Sequence, residues 1–447
     1  MKKMMYKLLA TFAQKIVRKY GPDIVAITGS VGKTTAKEAV IRVLSETFRV
    51  RGNEKSYNNE LGVPLTIIGA LAPGRSFFGW FRVFVRAFSL LLRKDPHYPS
   101  ILVVEMGADA PGDIEYLVSI APPKIGVITA IGPTHLEKLG SIEQLIAEKN
   151  KIFSRHTQSD QWMVLNADDP ALVEMGSVGS GSVFAGTAKS VPGPTYQTLT
   201  FGEHPDAILR ITDVKERYVF HPDQGEVMSG VSCTLTYNGV SAQCEFLKLV
   251  GRHVLPSIIA GAAVGCIYHI PLAEIAHRLH EAEPAVGRMH LIAGIKHTLL
   301  IDDTYNSSPN AARGALDTLM SFEIDGDARR IAVLGDMREL GSHTEKEHRA
   351  LGVYAGTSGI DYLFAVGGAS SFVAEGVRDS HLDASRIFVF NDSASAGRAL
   401  QDIMKKGDVI LIKGSQNVLR MERIVKEVMA DPERAKELLV RQDKEWM

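Results

Sequence analysis

The stretch IVAITGSVGKTTAKE, Ile24 to Glu38, sets a β-branched apolar run directly before a helical pattern. Two glycines, Lys33 and two threonines lie between strand and helix. This is the composition of a loop that binds phosphate with backbone N–H groups and the start of a helix. The common G-x-x-x-x-G-K-[ST] spacing would require glycine at position 27, where the chain has isoleucine. The segment therefore fits either an ordinary strand–helix turn with a surface lysine or a phosphate loop of shorter spacing.

The next two predicted strands end near residues that ligate metals. ILVVEMGA places Glu105 at the end of one buried strand, and VITAIGPTHLEK places His135 shortly after the next. Ligands of open parallel sheets bind at the carboxyl ends of the strands. A carboxylate, an imidazole and the Thr34 hydroxyl at that edge suit a divalent cation. A single Glu or His after a strand is more often a plain loop residue, so the prediction depends on their conjunction with the loop.

The composition predicts a cytoplasmic protein. The chain has 447 residues, 45% of them hydrophobic, and 50 Lys and Arg against 51 Asp and Glu. It is long enough for two or three domains, and its near-neutral charge gives no indication of nucleic acid binding. Three cysteines without a C-x-x-C pair favour a reducing compartment over a zinc site. No apolar run reaches the roughly 18–20 residues of a membrane span, and the N-terminus lacks a signal-peptide pattern.

Apolar strands alternate with helical patterns through most of the chain, which predicts an α/β fold with mainly parallel sheets. We predict a basic amphipathic helix over residues 1–22, a central P-loop ATPase domain over 23–285, and a Rossmann-like α/β domain over 286–447. Pro284 and Gly287 mark the boundary between the last two.

Residues 195–250 form a β-rich subregion of the central domain. Asn238-Gly239 predicts a two-residue hairpin turn between two apolar runs. Counting outward from this turn places Cys233 opposite Cys244. We expect both thiols to remain reduced.

Several stretches, in order along the chain, resemble the Mur ligases, ATP-dependent enzymes that form amide bonds in peptidoglycan precursor synthesis. The loop TGSVGKTT is similar to their short TG-[ST]-x-GKTT phosphate loop. Further similar stretches are YNNELGVPLT, VVEMGADAPGDIEYL, THLEKLGS, EKNKIF, VLNADDP, GRMH, DDTYNSSPNAARGAL, LGDMRELG, EKEHRALG and LIKGSQNVLRME. The segments EMGA, GDMRELG and KGS resemble those of the branch of the family that adds D-alanyl-D-alanine to a UDP-N-acetylmuramoyl-tripeptide.

The resemblance implies ATP and two Mg²⁺ ions as cofactors and an acyl-phosphate mechanism. A substrate carboxylate would attack the γ-phosphate of ATP, and the dipeptide amine would then attack the acyl phosphate. The resemblance assigns Thr34 and Glu105 to one Mg²⁺, and His135 and a carbamylated Lys149 to the second. By charge pattern alone, Lys149 would be an exposed helical lysine. The residues assigned to ATP in this half of the chain are Gly29, Ser30, Gly32, Lys33, Thr34 and Thr35.

The second half supplies further residues of the implied site. Arg288 resembles the arginine that reaches back to the nucleotide phosphates, and joins Lys33, His135 and Lys149 in the implied catalytic set. Asp302 and Asn306 fall where the family contacts the nucleotide. The residues that the resemblance assigns to substrate are Asn58, Asn59, Asp336, His348, Lys413 and Ser415.

The sequence departs from the family pattern at its N-terminus and in the segment GRHVLPS. Only about 23 residues precede the first predicted strand, where the family has a domain that binds the UDP end of the substrate. The segment GRHVLPS carries Val254 and Ser257 where the family has asparagines, one of which contacts adenine.

An additional segment over 73–99 carries Arg82, Arg86 and Arg93 on one helical stripe among aromatic and aliphatic residues. Two central arginines oppose insertion across a bilayer. With the basic helix over 1–22, the segment fits either a weak contact with an anionic membrane surface or packing of the two helices on each other. We otherwise predict a monomer without a nucleic acid partner.

Two alternative functions stay open at the level of sequence. One is a Mur-type ligase for another carboxylate, such as a lipid-linked one. The other is a membrane-docked nucleotide-binding protein without ligase activity. The intact set of Lys33, Glu105, His135 and Lys149 argues against the second alternative.

Overall fold

The computed structural model describes residues 2–53, 58–134, 136–154, 160–178, 197–380, 382–415 and 419–442. The described residues form two β-sheets. The strands of the first half are β1 (Asp23–Thr28), β2 (Val50–Gly52), β3 (Ile101–Glu105), β4 (Ile125–Ile128), β5 (Trp162–Asn166), β6 (Gln197–Gly202), β7 (Leu209–His221), β8 (Glu226–Tyr237) and β9 (Val240–Phe246). The strands of the second half are β10 (His290–Gly294), β11 (Thr298–Asp303), β12 (Phe322–Glu323), β13 (Arg330–Gly335), β14 (Tyr362–Val366), β15 (Ile387–Phe390) and β16 (Val409–Lys413).

Helices cover both sheets. Those of the first half are α1 (Lys2–Tyr20), α2 (Lys33–Ser45), α3 (Gly62–Ile68), α4 (Phe77–Leu92), α5 (Asp113–Ile120), α6 (Leu136–Leu139), α7 (Ile142–Asn150), α8 (Pro170–Val178), α9 (Leu255–Ile267) and α10 (Leu272–Leu279). Those of the second half are α11 (Pro309–Ser321), α12 (Thr344–Ser358), α13 (Ser370–Arg378), α14 (Ser393–Ile403), α15 (Glu422–Val428) and α16 (Ala435–Leu438). Among the described residues, no helix is both long and apolar enough to cross a bilayer.

The first sheet has the order β2-β3-β1-β4-β5-β6-β7-β8-β9. Strands β2 to β7 in this order pair in parallel, and β8 and β9 extend the sheet in antiparallel fashion. β1 lies inside the parallel part, and its side chains alternate between two cores. Val25 and Ile27 pack toward α2 and α9, whereas Ile24 and Ala26 pack toward α1, α3 and α4. Burial on both faces explains why β1 is a continuous apolar run.

The second sheet has the order β10-β11-β16-β13-β14-β15, parallel except for β10. The mainly parallel α/β fold is therefore confirmed in both halves. The short strand β12 instead pairs with β7 of the first sheet. The predicted boundary at 285–286 falls between α10 and β10, and the division into domains there stays a prediction.

The hairpin β8–β9 turns at Asn238 and Gly239, both with positive φ, and Cys233 pairs with Cys244 as predicted. Counting from the turn, this is a hydrogen-bonded pair, where Cα atoms lie about 5.5 Å apart.

We expect the three cysteines to stay reduced. Cys233, Cys244 and Cys266 are buried free thiols. A side-chain hydrogen bond with Cys244 and burial raise the pKa of Cys233, and burial raises that of Cys266 to about 12. Because the thiolate is the species that forms disulfides, oxidation is disfavoured. Protein purified without reductant and then unfolded should show three reactive thiols per chain by colorimetric titration. A value of one would reveal a disulfide and contradict the prediction.

Candidate active site

The loop between β1 and α2 requires glycine at two positions. Gly29 has φ +145°, and a Cβ there would lie 2.0 Å from Thr129 Oγ1. Gly32 has φ +85°, and a Cβ there would lie 2.0 Å from Ser257 Oγ. Left-handed backbone and close approach of neighbouring atoms both exclude larger residues at these positions. The conformation of this loop therefore depends on glycine at positions 29 and 32.

Contacts with the segment after β4 fix the loop. Ser30 Oγ donates to the Gly132 carbonyl and accepts from the Gly132 N–H, both at 3.0 Å. Thr129 Oγ1 donates to the Val31 carbonyl at 2.5 Å. Gly32 has no side chain to cap the start of α2, so the first N–H groups of this helix remain suited to an anion. Thr34 and Thr35 lie in this first helical turn.

Lys33 is half-buried at the loop, where its Nζ donates to the Gly29 carbonyl at 2.8 Å. Burial lowers the pKa of Lys33, and Arg288 adds to this effect while Glu105 opposes it. A carboxylate and a second cation therefore lie close enough to act on this ammonium group. Positive charge beside the N-terminus of α2 is the arrangement that binds phosphate.

Glu105 ends β3 and is 1% exposed. Its Oε1 has no hydrogen-bond partner among the described residues, and Lys37 Nζ lies 4.0 Å away. Asn53 orders this corner: its Oδ1 accepts from the Glu105 N–H at 3.1 Å, and its carbonyl accepts from Lys37 Nζ at 2.7 Å. A buried, unsatisfied carboxylate oxygen is a fit for a hard divalent cation.

The sequence interpretation missed Lys37 and Asn53. The signal for Lys37 was available, since it lies four residues after Lys33 and so on the same side of α2. Asn53 follows the three-residue strand β2, which the sequence pattern did not predict.

Lys149 lies in α7 and is 1% exposed. Burial and the nearby Lys33 lower its pKa well below the ordinary value, so its neutral amine is favoured. Its neighbour Glu148 accepts from the N–H groups of Gly112 (2.9 Å) and Ile114 (3.0 Å) and thereby ties α7 to the start of α5. The structure thus excludes the exposed surface lysine that the charge pattern alone would suggest.

His135 lies outside the described residues. Within the described parts of the chain, His, Cys, Asp and Glu do not form a cluster of three or more that could hold a metal.

Arg288 reaches from the second half of the chain to the loop. Its Nη2 lies 3.4 Å from Thr34 Oγ1, and its guanidinium lies over the Tyr305 ring at 4.2 Å from the centroid. The Tyr305 N–H donates to the Gly287 carbonyl at 2.9 Å, which holds this ring beside the connection. Arg441 approaches the same ring, at 5.6 Å. The structure thus brings Arg288 to the phosphate loop, and it adds Tyr305, which sequence reasoning missed.

Asp302 and Asn306 differ in environment. Asp302 is buried, and burial raises its pKa to about 7. Its Oδ1 accepts from Thr304 Oγ1 at 2.6 Å, whereas its Oδ2 has no hydrogen-bond partner in the described part of the chain. Asn306 is exposed, and its carbonyl accepts from Lys413 Nζ at 3.0 Å. Their contacts with nucleotide stay predictions.

A cavity of about 260 Å³ lies at the ends of β13 and β16 and is lined by Asp336, Arg338, Ser415 and Leu419. Ser415 Oγ accepts from the Arg338 N–H at 3.0 Å, and Asp336 Oδ1 accepts from the Ser370 N–H at 2.7 Å. Carboxylate, guanidinium and hydroxyl groups here suit a small zwitterionic molecule.

His348 and Lys413 are buried near this cavity, and both side chains are hydrogen-bonded to neighbouring protein groups. His348 Nε2 accepts from the Met337 N–H at 2.9 Å, and its Nδ1 donates to the Thr344 carbonyl at 2.7 Å. Lys413 is 2% exposed and pairs with Asp303 at 2.5 Å. Both side chains position the segments that carry Asp336 and Asn306.

Asn58 and Asn59 have different positions beside α3. The Asn58 carbonyl accepts from the Gly107 N–H at 2.8 Å, so Asn58 lies next to the segment after Glu105. Asn59 Oδ1 accepts from the N–H of Leu61 (3.2 Å) and of Gly62 (3.0 Å), which makes it a helix cap. A substrate contact by either residue stays a prediction.

Comparison with known proteins agrees with this geometry. Residues 87–265 match the Mur ligase middle domain, and residues 287–416 match the domain described as "Mur ligase, glutamate ligase domain". The UDP-N-acetylmuramoyl-tripeptide--D-alanyl-D-alanine ligase of Bacillus subtilis is 28% identical over 424 residues, 95% of this chain and 79% of that protein. The ligase of the same name from Mycobacterium leprae is 30% identical over 92% of this chain and 74% of its own length.

The fold agrees as well. MurF ligase from Thermotoga maritima, solved in complex with ADP, superposes with a TM-score of 0.72 at 24% identity, over 94% of this chain and 83% of that one. The two matched stretches follow each other in order along one chain, and they include Glu105 and Arg288. The chain therefore belongs to the Mur ligase family, a family of ATP-dependent ligases.

Proposed function

We propose that this chain adds D-alanyl-D-alanine to a UDP-N-acetylmuramoyl-tripeptide in peptidoglycan precursor synthesis. The observation that carries the proposal is the 28% identity with the Bacillus subtilis ligase of that activity along 95% of the chain. The contact of Arg288 with Thr34 supports it, because the phosphate loop then faces the half of the chain that holds the cavity at Asp336, Arg338 and Ser415.

The reaction requires two displacements. A terminal carboxylate oxygen of the tripeptide attacks the γ-phosphorus of ATP and releases ADP. The dipeptide nitrogen then attacks the acyl carbon, loses a proton, and expels inorganic phosphate as the amide forms. Negative charge gathers on phosphoryl oxygens in the first step and on the carbonyl oxygen in the second, so fixed positive groups and N–H dipoles give most of the catalysis.

The residues of the loop have distinct tasks in this scheme. We assign Gly29, Ser30, Gly32, Thr34 and Thr35 to the phosphates through the backbone and hydroxyl groups. Lys33 and Arg288 supply positive charge from opposite halves of the chain. Asp302 and Asn306 are assigned to the nucleotide.

The donors present fit Mg²⁺. Thr34 and the unsatisfied Glu105 oxygen would hold one ion, and His135 with a carbamylated Lys149 would hold a second. When bound, Mg²⁺ neutralises phosphate charge and orients the transferring group. The lowered pKa of the buried Lys149 amine supports carbamylation, because the unprotonated amine is the form that adds to CO₂.

We assign the cavity at Asp336, Arg338 and Ser415 to the incoming dipeptide. The Asp336 carboxylate suits its ammonium group, and the Arg338 guanidinium suits its carboxylate. His348 and Lys413 would act on this substrate through the segments that they hold. Asn58, beside Gly107, is assigned to the muramoyl peptide together with Asn59.

We further infer a monomer that works in the cytoplasm. Both halves of the proposed site come from one chain, as Arg288 and Thr34 illustrate, so activity requires no second copy. ATP and a UDP-linked precursor are cytoplasmic metabolites, which sets the compartment of the proposed reaction.

Phosphate release from ATP is the test of the substrate assignment. The purified chain would be offered a UDP-muramoyl tripeptide with D-alanyl-D-alanine, each substrate alone, a lipid-linked muramoyl tripeptide, and glutamate with a folate acceptor. Release that requires the first pair supports the proposal. If phosphate is released only when the lipid-linked muramoyl tripeptide is the acceptor, the carboxylate substrate is a different one from the UDP-linked tripeptide. If no pair of substrates gives phosphate release, ligase activity is contradicted.

Replacing Arg288 with alanine should lower kcat/KM for ATP by about 10²- to 10³-fold, the typical loss of a group that stabilises phosphoryl or oxyanion charge. The kcat/KM of Arg288→Lys should lie between those of the wild type and Arg288→Ala, because lysine keeps the positive charge and loses the stacking of the guanidinium on the Tyr305 ring. Arg423→Ala, an exposed arginine in the same half, serves as control. Equal kcat/KM in Arg288→Ala and the control would remove Arg288 from the active site.

A further inference from the structure

The outer face of α4 carries a line of exposed apolar side chains. Phe77 is 79% exposed, Phe78 78% and Phe81 62%. Residues 77, 81, 85, 88 and 92 recur every three or four positions and so lie on one side of the helix. The apolar stripe consists of Phe77, Phe78, Phe81, Val85, Phe88 and Leu92, each more than half exposed. Contiguous apolar surface of this kind marks an interaction site.

The opposite face of α4 is firmly packed. Val83, Ala87 and Leu90 are buried in the core that lies under α1 and α3. Phe84 contacts Phe12 of α1, with ring centroids 6.1 Å apart. Lys19 Nζ donates to the Leu90 carbonyl at 2.8 Å. The apolar stripe is therefore exposed on a helix whose opposite face is fixed by packing.

The apolar face of α1 is covered by protein. Leu9 and Ile16 are fully buried, and Phe12 packs on Phe84. Of the two interpretations of the sequence, packing of the two helices on each other is thus confirmed for this face of α1. It leaves α4 as the helix with an uncovered apolar surface.

Cationic groups lie along the stripe. A groove of about 430 Å³ runs beside it, lined by Phe81, Arg82, Val85, Arg86, Ser89, Leu90, Arg93, Lys94 and Asp95. Arg86 is tied through its Nε to the Ile68 carbonyl at 2.8 Å. Asp95 Oδ1 accepts from the His97 N–H at 2.9 Å. The helix ends at Leu92, so Arg93 lies beyond it in extended backbone and not on the predicted helical stripe.

The neighbouring helix adds to this positive charge. Lys7, Lys15, Arg18 and Lys19 of α1 are exposed. The sequence has no Asp or Glu in residues 2–22 or 71–94. Basic residues around an apolar stripe, without intervening acids, complement an anionic surface that has an apolar interior.

We propose that α4 docks the protein on an anionic phospholipid membrane. The apolar stripe lies at the boundary of the acyl chains, and the arginine-lined groove receives headgroup phosphates. With 16 residues, α4 is shorter than the roughly 20 that span a bilayer, so it lies in the plane of the interface. Its arginines reach the headgroups from the edge of the stripe.

A second copy of the chain is a less suitable occupant. In a twofold interface the same patch meets itself, so Arg82, Arg93 and Lys94 would approach their own counterparts. One acid, Asp95, lines the groove against four cations, Arg82, Arg86, Arg93 and Lys94, so it offsets only part of this repulsion. An anionic bilayer has no such penalty.

Docking through α4 leaves the phosphate loop free. α4 packs with Ile24 and Ala26 on one face of the sheet, whereas α2 packs with Val25 and Ile27 on the other. The proposed membrane contact and the proposed ligase activity are therefore separable in experiments.

Vesicle sedimentation tests the proposal with the full chain. We expect binding to vesicles of phosphatidylcholine with phosphatidylglycerol at low salt, weakening as salt rises, and no binding to phosphatidylcholine alone. Arg82→Glu/Arg93→Glu/Lys94→Glu should weaken binding by about 100-fold, since each basic residue near an anionic surface is worth about fivefold. Arg86 is left unchanged because it holds Ile68.

Two further variants separate charge from apolar contact. Phe77→Ser/Phe81→Ser/Phe88→Ser should also lose binding, because the charges alone do not insert. The matched control, Arg423→Glu/Lys426→Glu/Lys436→Glu, reverses three exposed charges on helices of the second half and should bind like the wild type. ATP turnover of each variant reports on its fold.

Three outcomes would overturn the proposal. The first is that the wild type does not bind anionic vesicles at low salt. The second is that the control and the α4 charge variant lose vesicle binding equally. The third is that the protein dimerises without vesicles and that the phenylalanine-to-serine substitutions dissociate the dimer. The last would identify a second copy as the occupant of the stripe.

Discussion

Replacing Lys33 with alanine should reduce ATP turnover by about 10³-fold or more, the range for groups that neutralise a transferring phosphoryl. Its ammonium group lies at the Gly29 carbonyl, 2.8 Å away, beside the uncapped start of α2. Removing it deletes a fixed positive charge where the phosphates bind. The fold should persist, because burial already disfavours this charge, as the lowered pKa of Lys33 indicates.

Steady-state kinetics and thermal unfolding together measure this prediction. Arg42→Ala is the matched control, since Arg42 is an exposed arginine in the last turn of the same helix. The control should keep wild-type turnover, and both variants should unfold near the wild-type temperature. Wild-type turnover in Lys33→Ala would place the phosphate site away from Gly29–Thr35.

The local features of the fold were predictable because they depend on short stretches of sequence. A β-branched run followed by glycines specifies β1 and the loop, and Asn238-Gly239 specifies the β8–β9 register. Strand order was not predictable. The position of β1 between β3 and β4 depends on contacts across about 100 residues, and the pairing of β12 with β7 adds a strand from the second half of the chain to the first sheet.

The candidate site was predictable where one residue type can perform one task. Glycine at positions 29 and 32 and lysine at 33 are such cases, and the structure places all three at one loop. The supporting polar contacts were not predictable. Asn53 beside Glu105 and Tyr305 beside Arg288 are brought in by tertiary packing, and no spacing rule connects them.

The substrate assignments of two polar residues stay predictions for a physical reason. Asn59, just before α3, and His348, within α12, can each be interpreted from sequence as a ligand or as a hydrogen-bond partner of the backbone. The structure shows backbone partners for both, at the start of α3 and at Met337. Sequence patterns identify the chemical group and leave its partner open.

Replacing Lys149 with alanine should lower activity by at least about 100-fold, comparable with the loss of a single charge-stabilising group. Carbamylation joins the lysine nitrogen to the carbon of CO₂, releases a proton, and converts an amine into an anion. Burial and Lys33 hold the pKa of Lys149 low, so the reactive neutral amine is available. Since Lys149 is 1% exposed, alanine leaves an enclosed space in which acetate can take the place of the carbamate.

Acetate should therefore partly and saturably restore the activity of Lys149→Ala, and it should leave the wild type unaffected. Lys149→Arg keeps a cation that cannot be carbamylated, so it should be inactive with or without acetate. Lys151→Ala, which removes a half-exposed partner of the buried Glu148, should retain activity because Glu148 keeps its hydrogen bonds from the N–H groups of Gly112 and Ile114. Carbon-13 NMR of wild type supplied with labelled bicarbonate should show one carbamate signal that Lys149→Ala lacks. Full activity in Lys149→Arg, or no carbamate signal in an active wild type, would show that Lys149 acts without a carbamate.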